Sequence, residues 1–306
     1  MDNKIIIGSR GSKLSLAYAN KVKDLISGLD LAHKKKIEIQ TIKTSGDLFQ
    51  SKKISEIGGK NLFCKEIEDK LISKEIDIAV HSLKDMDSIE TKGLIIQAYI
   101  KRNDPRESFV SKKFKKLSEL NNAKIGSSSR RRELQLKLLN KNIKVENIRG
   151  NVDTRIKKVE SGEYDGAVLA IAGLKTLKLQ NYVQEIFSVK NFIPTAGQGI
   201  IATQCREDNN DIRKILKKIN HHETESCALA ERNFLKTLGG DCDTAVGCSA
   251  ILNEKKIEIN AQLFSDDGKK VFNVMKSGEV NEPELLGRLA GEEILTKSGN
   301  DFSKKR

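Results

Sequence analysis

The sequence predicts an α/β fold: two similar α/β domains joined by two chain crossings, followed by a small C-terminal α+β domain. Three observations predict it. From residue 4 to 100, short apolar runs alternate with amphipathic stretches, and after the turn signal Asp104-Pro105 the same alternation resumes. Beyond His221 the pattern changes to one long helix, three runs of alternating polarity and a closing helix. A chain of 306 residues exceeds what one ordinary core supports, and the boundaries fall at 1–100 with 198–218, at 104–194 and at 220–306.

The first domain opens with the strand KIIIG, which runs into Gly8-Ser9-Arg10-Gly11-Ser12 and a helix to about Ile26. The strand KIEIQTIK, a helix within LFCKEIEDKLIS, and the strands DIAVHS and LIIQAYI follow. Ligands gather at the carboxyl ends of such strands. Between them lies TSGDLFQSKKISEIGGKN, a stretch that fits a lid or binding loop and fits disorder equally. DIAVHS ends abruptly in His81-Ser82-Leu83-Lys84-Asp85. A carboxylate placed there can handle protons or stabilise a cation, although a surface ion pair with Lys84 is the plainer account.

The second domain carries the most pointed stretch, KIGSSSRRRELQLKLLNKNIKVENIRGNVDTR from Lys124 to Arg155. Five arginines fall in it, at 130, 131, 132, 149 and 155, although lysine dominates the charge elsewhere. A guanidinium meets a carboxylate or phosphate as a rigid fork, whereas an ammonium is a hydrated point charge. A short strand, three serines and a helix bearing Leu134, Leu136, Leu138 and Leu139 follow one another, with Ser128 or Ser129 as the N-cap. A helix start with unpaired N–H groups, serines and arginines makes an anion pocket. The unit repeats in VENIRGNVDTR, with a strand ending at Arg149-Gly150 and Asn151 as the cap, and it resembles the turn at Arg10 and Ser12. Three such turns suggest one polyanion gripped at several points; solvated charges at helix starts are the alternative. The strand DGAVLA, a small-residue loop IAGLKT and a crossing back at Ile193 to Gly199 complete the domain, and GIIATQC rejoins the first. Two lobes joined by two crossings make a cleft that opens and closes around a ligand.

In the third domain the helix HHETESCALAERNFLKTL ends at Gly239-Gly240, before the strands AVGCSAILN, KIEINAQLF and KVFNVMKSG and the helix PELLGRLAGEEILTK. The five cysteines, at 64, 205, 227, 242 and 248, form no CxxC pair, so reduced thiols and no metal site are expected. Cys242 sits in a Gly-rich loop, and Asp241 beside it raises a thiol pKa. That disfavours a cycling nucleophile but permits a thiol that reacts once and stays alkylated.

The net charge of +13 favours anionic partners. Tryptophan is absent and aromatics are 5%, which supplies a poor stacking platform for nucleic acid. No apolar run spans a membrane and the N-terminus lacks a signal-peptide core, so a cytoplasmic location is expected, with a monomer as the oligomeric state.

Together the blocks IGSRGSKLSL, GGKNLFCKE, DIAVHSLKD, NDPRESFVS, IGSSSRRR, IRGNVDTR, GEYDGAVLAIAGL, PTAGQGIIATQCR and HHETESCALAER, with the loop bearing Cys242, resemble the porphobilinogen deaminase (hydroxymethylbilane synthase) family almost end to end. The resemblance implies a transferase of tetrapyrrole and heme biosynthesis whose first two domains are like periplasmic binding proteins. It implies a dipyrromethane cofactor, assembled from porphobilinogen and held by a thioether to Cys242. Porphobilinogen units join it head to tail with loss of ammonia, and hydrolysis releases the linear tetrapyrrole. On this resemblance Asp85 is the catalytic group, binding pyrrole N–H groups and steadying positive charge. The cofactor contacts are Cys242, Lys84, Ser82, His81, Ser128, Ser129, Arg131, Arg132, Asp47 and Gly150, and the substrate contacts are Arg10, Ser12, Arg149, Arg155, Phe63, Lys60 and Gln198.

Two departures stand out. Where relatives show an arginine the chain has Thr176, with Lys175 as a point-charge substitute, and acids flank the cysteine at Asp241 and Asp243. The rival readings are an inactive two-lobed anion-binding protein, against which Cys242 and Asp85 speak, and a nucleic-acid binder with a steep salt dependence.

Overall fold

The computed structural model describes residues 4–32, 35–48, 62–239 and 244–303. Lys60, Cys242 and its two acidic neighbours, and most of the long Gly, Ser and Lys loop lie outside them. Strands β1 (Lys4–Arg10), β2 (Lys36–Ile42), β3 (Ile78–Ser82), β4 (Leu94–Ile100), β5 (Glu107–Val110), β6 (Ala123–Gly126), β7 (Ile143–Glu146), β8 (Gly166–Ala170), β9 (Val183–Ile186) and β10 (Ile201–Arg206) build two sheets. Their orders are β2-β1-β3-β10-β4 and β7-β6-β8-β5-β9.

The two sheets share one plan. In each, three strands run parallel, as in β1 with β2 and β3 and in β6 with β7 and β8. The next strand lies antiparallel to its neighbours on both sides, β10 in the first sheet and β5 in the second. Each of these antiparallel strands is the one that the chain delivers by crossing from the other sheet. The predicted α/β class with a crossing-back connection is therefore present in the strand order itself.

The cores explain why the strands read as continuous apolar runs. Helix α1 (Lys13–Ser27) buries Tyr18, Ala19, Val22 and Ile26, spaced along one helical face, in the cluster that holds Ile5, Ile7 and Val80. In the second sheet Phe109, Ile125 and Val168 pack in one cluster with Leu136, while Val110, Ala167 and Leu169 pack in another with Ile156 and Val159. Those partners belong to α4 (Arg130–Leu139) and α5 (Val152–Glu160), so alternate strand residues feed opposite faces. Leu138 and Leu139, expected on the apolar face of α4, are 55% and 44% exposed; only Leu134 and Leu136 turn inward.

Other expectations need correction. IAGLKT is not a loop but α6 (Ile171–Thr176), whose first four residues are buried and whose Thr176 Oγ1 donates to Ala172 O at 2.8 Å. Small residues there allow a short helix to pack tightly rather than marking a turn. The strand expected to run to Arg149 ends at Glu146, and Asn151 stands at the N-cap of α5 without a side-chain capping bond. Strands β5 and β9 were not foreseen.

Helices α2 (Ser45–Leu48), α3 (Lys65–Ile72), α7 (Asn210–Lys218) and α8 (His222–Leu238) precede the antiparallel strands β11 (Val246–Asn253), β12 (Lys256–Phe264) and β13 (Val271–Glu279), and α9 (Pro283–Ser298) packs on the last two. Contacts divide the chain into Met1–Asn103 with Gly199–Ala228, and Asp104–Gln198 with Leu229–Arg306. The C-terminal sheet thus shares a unit with the second α/β sheet.

The segment Ile193 to Gly197 holds that second unit together. Ile193 O accepts from Arg131 Nη1 at 2.7 Å and Gln135 Nε2 at 2.9 Å, while Ile193 N donates to Gln135 Oε1 at 2.7 Å. From the other side Cys248 N donates to Pro194 O at 2.8 Å, and Gly247 approaches so closely that a Cβ there would stand 2.8 Å from Ile193 O. Glu231, fully buried, accepts from Gly197 N at 2.6 Å and Ala250 N at 2.7 Å, joining the segment to β11 by two charge-assisted bonds. Cys64, Cys205, Cys227 and Cys248 are all buried, and none of these described cysteines is in a disulfide.

Candidate functional site

In the first unit the turn that carries Arg10 and Ser12 is built at the end of β1. Ser12 caps α1, its Oγ accepting from Ser15 N at 3.1 Å. Arg10 reaches Asp47 as a fork, Nη2 to Oδ1 at 2.5 Å and Nε to Oδ2 at 3.4 Å. Burial disfavours the ionised Asp47, but Arg10 and Thr44 outweigh it and hold the carboxyl below its ordinary range. The Arg10 guanidinium also lies 4.2 Å from the centroid of Phe63, a cation–π contact. Gly46 makes this possible, since a Cβ at that position would overlap the Phe63 ring. Arg10, Asp47 and Phe63, three residues from separate sequence blocks, therefore form one cluster.

Asp85 ends the short 3-10 turn Leu83–Asp85 that follows β3, partly buried, with Ser82 and Lys84 beside it. Its carbonyl accepts from Cys64 Sγ at 3.6 Å. Burial, with Asp85 and Glu68 adding to it, pushes the Cys64 thiol well above its ordinary pKa, so it stays neutral. Close enough to act on both Cys64 and His81 lies a buried polar group that sequence reasoning missed: Glu68 accepts from Gln204 Nε2 at 2.9 Å and from Thr91 Oγ1 at 2.7 Å. His81 is buried on β3, one strand residue before Ser82.

Burial lowers the His81 pKa to about 4, against the opposing pull of Glu68, Gln204 and Asp85. The imidazole is thus neutral in the folded chain at physiological pH. The unfolded chain takes up the proton first, near an ordinary value of about 6.5, so stability present above that pH is lost as acid is added, by about 3 kcal/mol on reaching pH ~4. Asp47 loses its own contribution only below the ordinary carboxylate range, outside that window. Urea unfolding of His81→Asn is therefore expected to show a flatter loss of stability from pH ~6.5 to ~4 than the unsubstituted chain.

In the second unit Ser129 is the N-cap of α4, its Oγ accepting from Arg132 N at 3.4 Å, and Ser128 Oγ donates to Ile148 O. Arg131 and Arg132 are both buried and both bind one carboxylate, Glu107 of β5. Glu107 Oε1 accepts from Arg131 Nη2 at 2.6 Å and Arg132 Nε at 2.9 Å, and Oε2 from Arg132 Nη2 at 2.8 Å. Gly150 has a φ of 110° and its carbonyl accepts from Arg155 Nε at 2.8 Å, so this residue shapes the Arg149 turn. Gln198 is fully buried and donates to Pro105 O at 2.7 Å, which ties the two crossing segments. Lys175 pairs with Asp104 Oδ2 at 3.0 Å, alongside Arg106, and Thr176 is bonded within its own helix. Arg106 first, and Lys175 with it, overcome burial and hold Asp104 well below the carboxylate range.

Two family models cover the chain: "Porphobilinogen deaminase, dipyromethane cofactor binding domain" over residues 5–214 and "Porphobilinogen deaminase, C-terminal domain" over residues 225–296. A porphobilinogen deaminase of Fusobacterium nucleatum is 40% identical over 301 residues, covering 97% of this chain and 99% of that one. One of Nitrobacter hamburgensis is 38% identical over 297 residues, covering 97% and 94%. Among solved structures, an ABC-transporter periplasmic substrate-binding protein of Coxiella burnetii aligns with a TM-score of 0.44 at 12% identity, over 70% of this chain and 91% of that one.

Proposed function

Because the chain belongs to the porphobilinogen deaminase family, we propose that it condenses porphobilinogen head to tail into a linear tetrapyrrole on a dipyrromethane joined to Cys242, acting in the cytoplasm as a monomer, apart from membranes and nucleic acid. The observation that carries this reading is the group Arg131, Glu107 and Arg132. Two guanidiniums share one carboxylate, so one formal positive charge and unused fork donors remain for an acidic ligand. A dipyrromethane supplies the pyrrole carbon at which the chain grows, and its acetate and propionate groups suit this donor set.

Each unit has its own task. In the second, Arg131 and Arg132 grip cofactor carboxylates, aided by the serines and the start of α4, while Arg149 and Arg155 serve substrate carboxylates. In the first, Arg10 offers a guanidinium already oriented by Asp47 and Phe63. Ser12 and Ser129 act mainly through the helix ends they cap. Asp85 accepts pyrrole N–H donors and offsets the positive charge that develops when ammonia leaves, with Ser82, Lys84 and neutral His81 as its neighbours. Lys60 and Phe63 serve as lid and ring contacts, and Gln198 holds the crossing.

Incubation of the purified chain with porphobilinogen tests this directly. Ammonia and linear tetrapyrrole are expected together, one ammonia per pyrrole unit added. Binding of porphobilinogen without ammonia release would instead point to the inactive anion-binding alternative.

A further inference from the structure

Glu107 carries an inference that rests on the assignment of Arg131 and Arg132 to the cofactor carboxylates. Arg131, Arg132 and Glu107 are 4%, 7% and 0% exposed. Taking two guanidiniums out of water is costly, and side by side they also repel each other. Burial and Arg132 both work against the charge on Arg131, and Glu107 works for it. One carboxylate meets both forks, yet Arg131 Nε and Arg132 Nη1 have no hydrogen-bond acceptor among the described residues. Both arginines also lie in the first turn of α4, where the helix dipole adds further positive potential.

We infer that Glu107 is a positioning residue that takes the place of a ligand carboxylate before the cofactor is present, holding both forks in register and leaving donors for one further carboxylate. The chain without cofactor then relies on Glu107 alone to balance the buried pair. The loaded chain relies on it less, because an acetate or propionate supplies a second counter-charge. A ligand that binds only the folded state stabilises it, and here it does so through the same two side chains. Loss of Glu107 and loss of the cofactor are therefore coupled. A carboxylate that merely stitched β5 to α4 would show no such coupling.

The test is a cycle of four proteins: the unsubstituted chain, Glu107→Gln, Cys242→Ser, and the double variant, each weighed by intact mass and then melted. Glu107→Gln is expected to lower the melting midpoint by about 10 °C in the Cys242→Ser background and by less than about half as much in the loaded background. Failure of the double variant alone to fold gives the same answer in a stronger form. Where neither Glu107→Gln protein folds, Glu107→Asp replaces it, with a smaller drop expected in the same order. Equal drops in the two backgrounds, with the unsubstituted chain loaded, overturn the role given to Glu107 and leave the cofactor reading standing. An unsubstituted chain without the dipyrromethane mass overturns both.

Discussion

Asp85→Ala is expected to fold normally and to lose turnover by at least about 10²-fold, the scale set by removing one group aimed at developing charge. The side chain is partly buried at the end of a short turn, and the contact that Cys64 makes there is to the Asp85 carbonyl, which the substitution keeps. The turn is also held by bonds that leave the carboxylate untouched, Leu83 N to Ile200 O at 3.0 Å and Met86 N to Leu83 O at 3.1 Å. Asp85→Asn, which keeps the shape and removes the charge, is expected to fall nearly as far. Initial rates of ammonia release, with a thermal melt of each variant, check this. An unchanged rate in a folded Asp85→Ala would assign the chemistry to another group.

Arg132→Met separates binding from stability in the other direction. With Arg132 gone, Arg131 and Glu107 remain as a neutral pair at 2.6 Å, so no buried charge is left alone. The melting midpoint is expected to move by only a few degrees, since one pair replaces a three-group cluster. Carboxylate binding loses the positive charge of Arg132 and one charge-assisted hydrogen bond from its Nη1, about 1.5–3 kcal/mol, so the porphobilinogen concentration needed to load the cofactor-free chain rises about 10- to 100-fold. Arg131→Met is expected to do more structural damage, because Arg131 also donates to Ile193 O in the segment that holds the second unit together. Loading curves read by intact mass decide the matter; an unshifted curve for Arg132→Met would remove Arg132 from the site.

Much of this was legible in the sequence for a physical reason. Buried parallel strands are apolar throughout, so KIIIG, DIAVHS and DGAVLA stood out, and Gly, Ser and Arg marked the turn that leads from KIIIG into the first helix. In the third sheet β12 and β13 alternate because one face is wet, whereas the first five residues of β11 are all buried. The misses have causes as well. Strands β5 and β9 are four residues each, too short for a period to register. The helix at Ile171–Thr176 was hidden because small buried residues look the same in a loop and in a tightly packed turn of helix.

Glu107 is the instructive omission. Its block NDPRESFV carries the turn signal Asp104-Pro105, and nothing in the pattern around the acid at 107 points to a partner for it. Two adjacent arginines that are to be buried require a carboxylate of equal burial, and an acid beside Phe109 and Val110 was the available one. Gln198, by contrast, was placed among the ligand contacts by resemblance, and its complete burial against Pro105 gives it a part in the crossing.

The account turns on one covalent bond, between Cys242 and a dipyrromethane. Four other cysteines are present and buried, so the assignment is specific and open to contradiction. Intact-mass measurement of the purified chain is the most direct test. The chain is expected to exceed its sequence mass by one dipyrromethane, Cys242→Ser to lose that excess, and Cys64→Ser to keep it. An active chain at its bare sequence mass, or an excess that survives Cys242→Ser, would contradict the account.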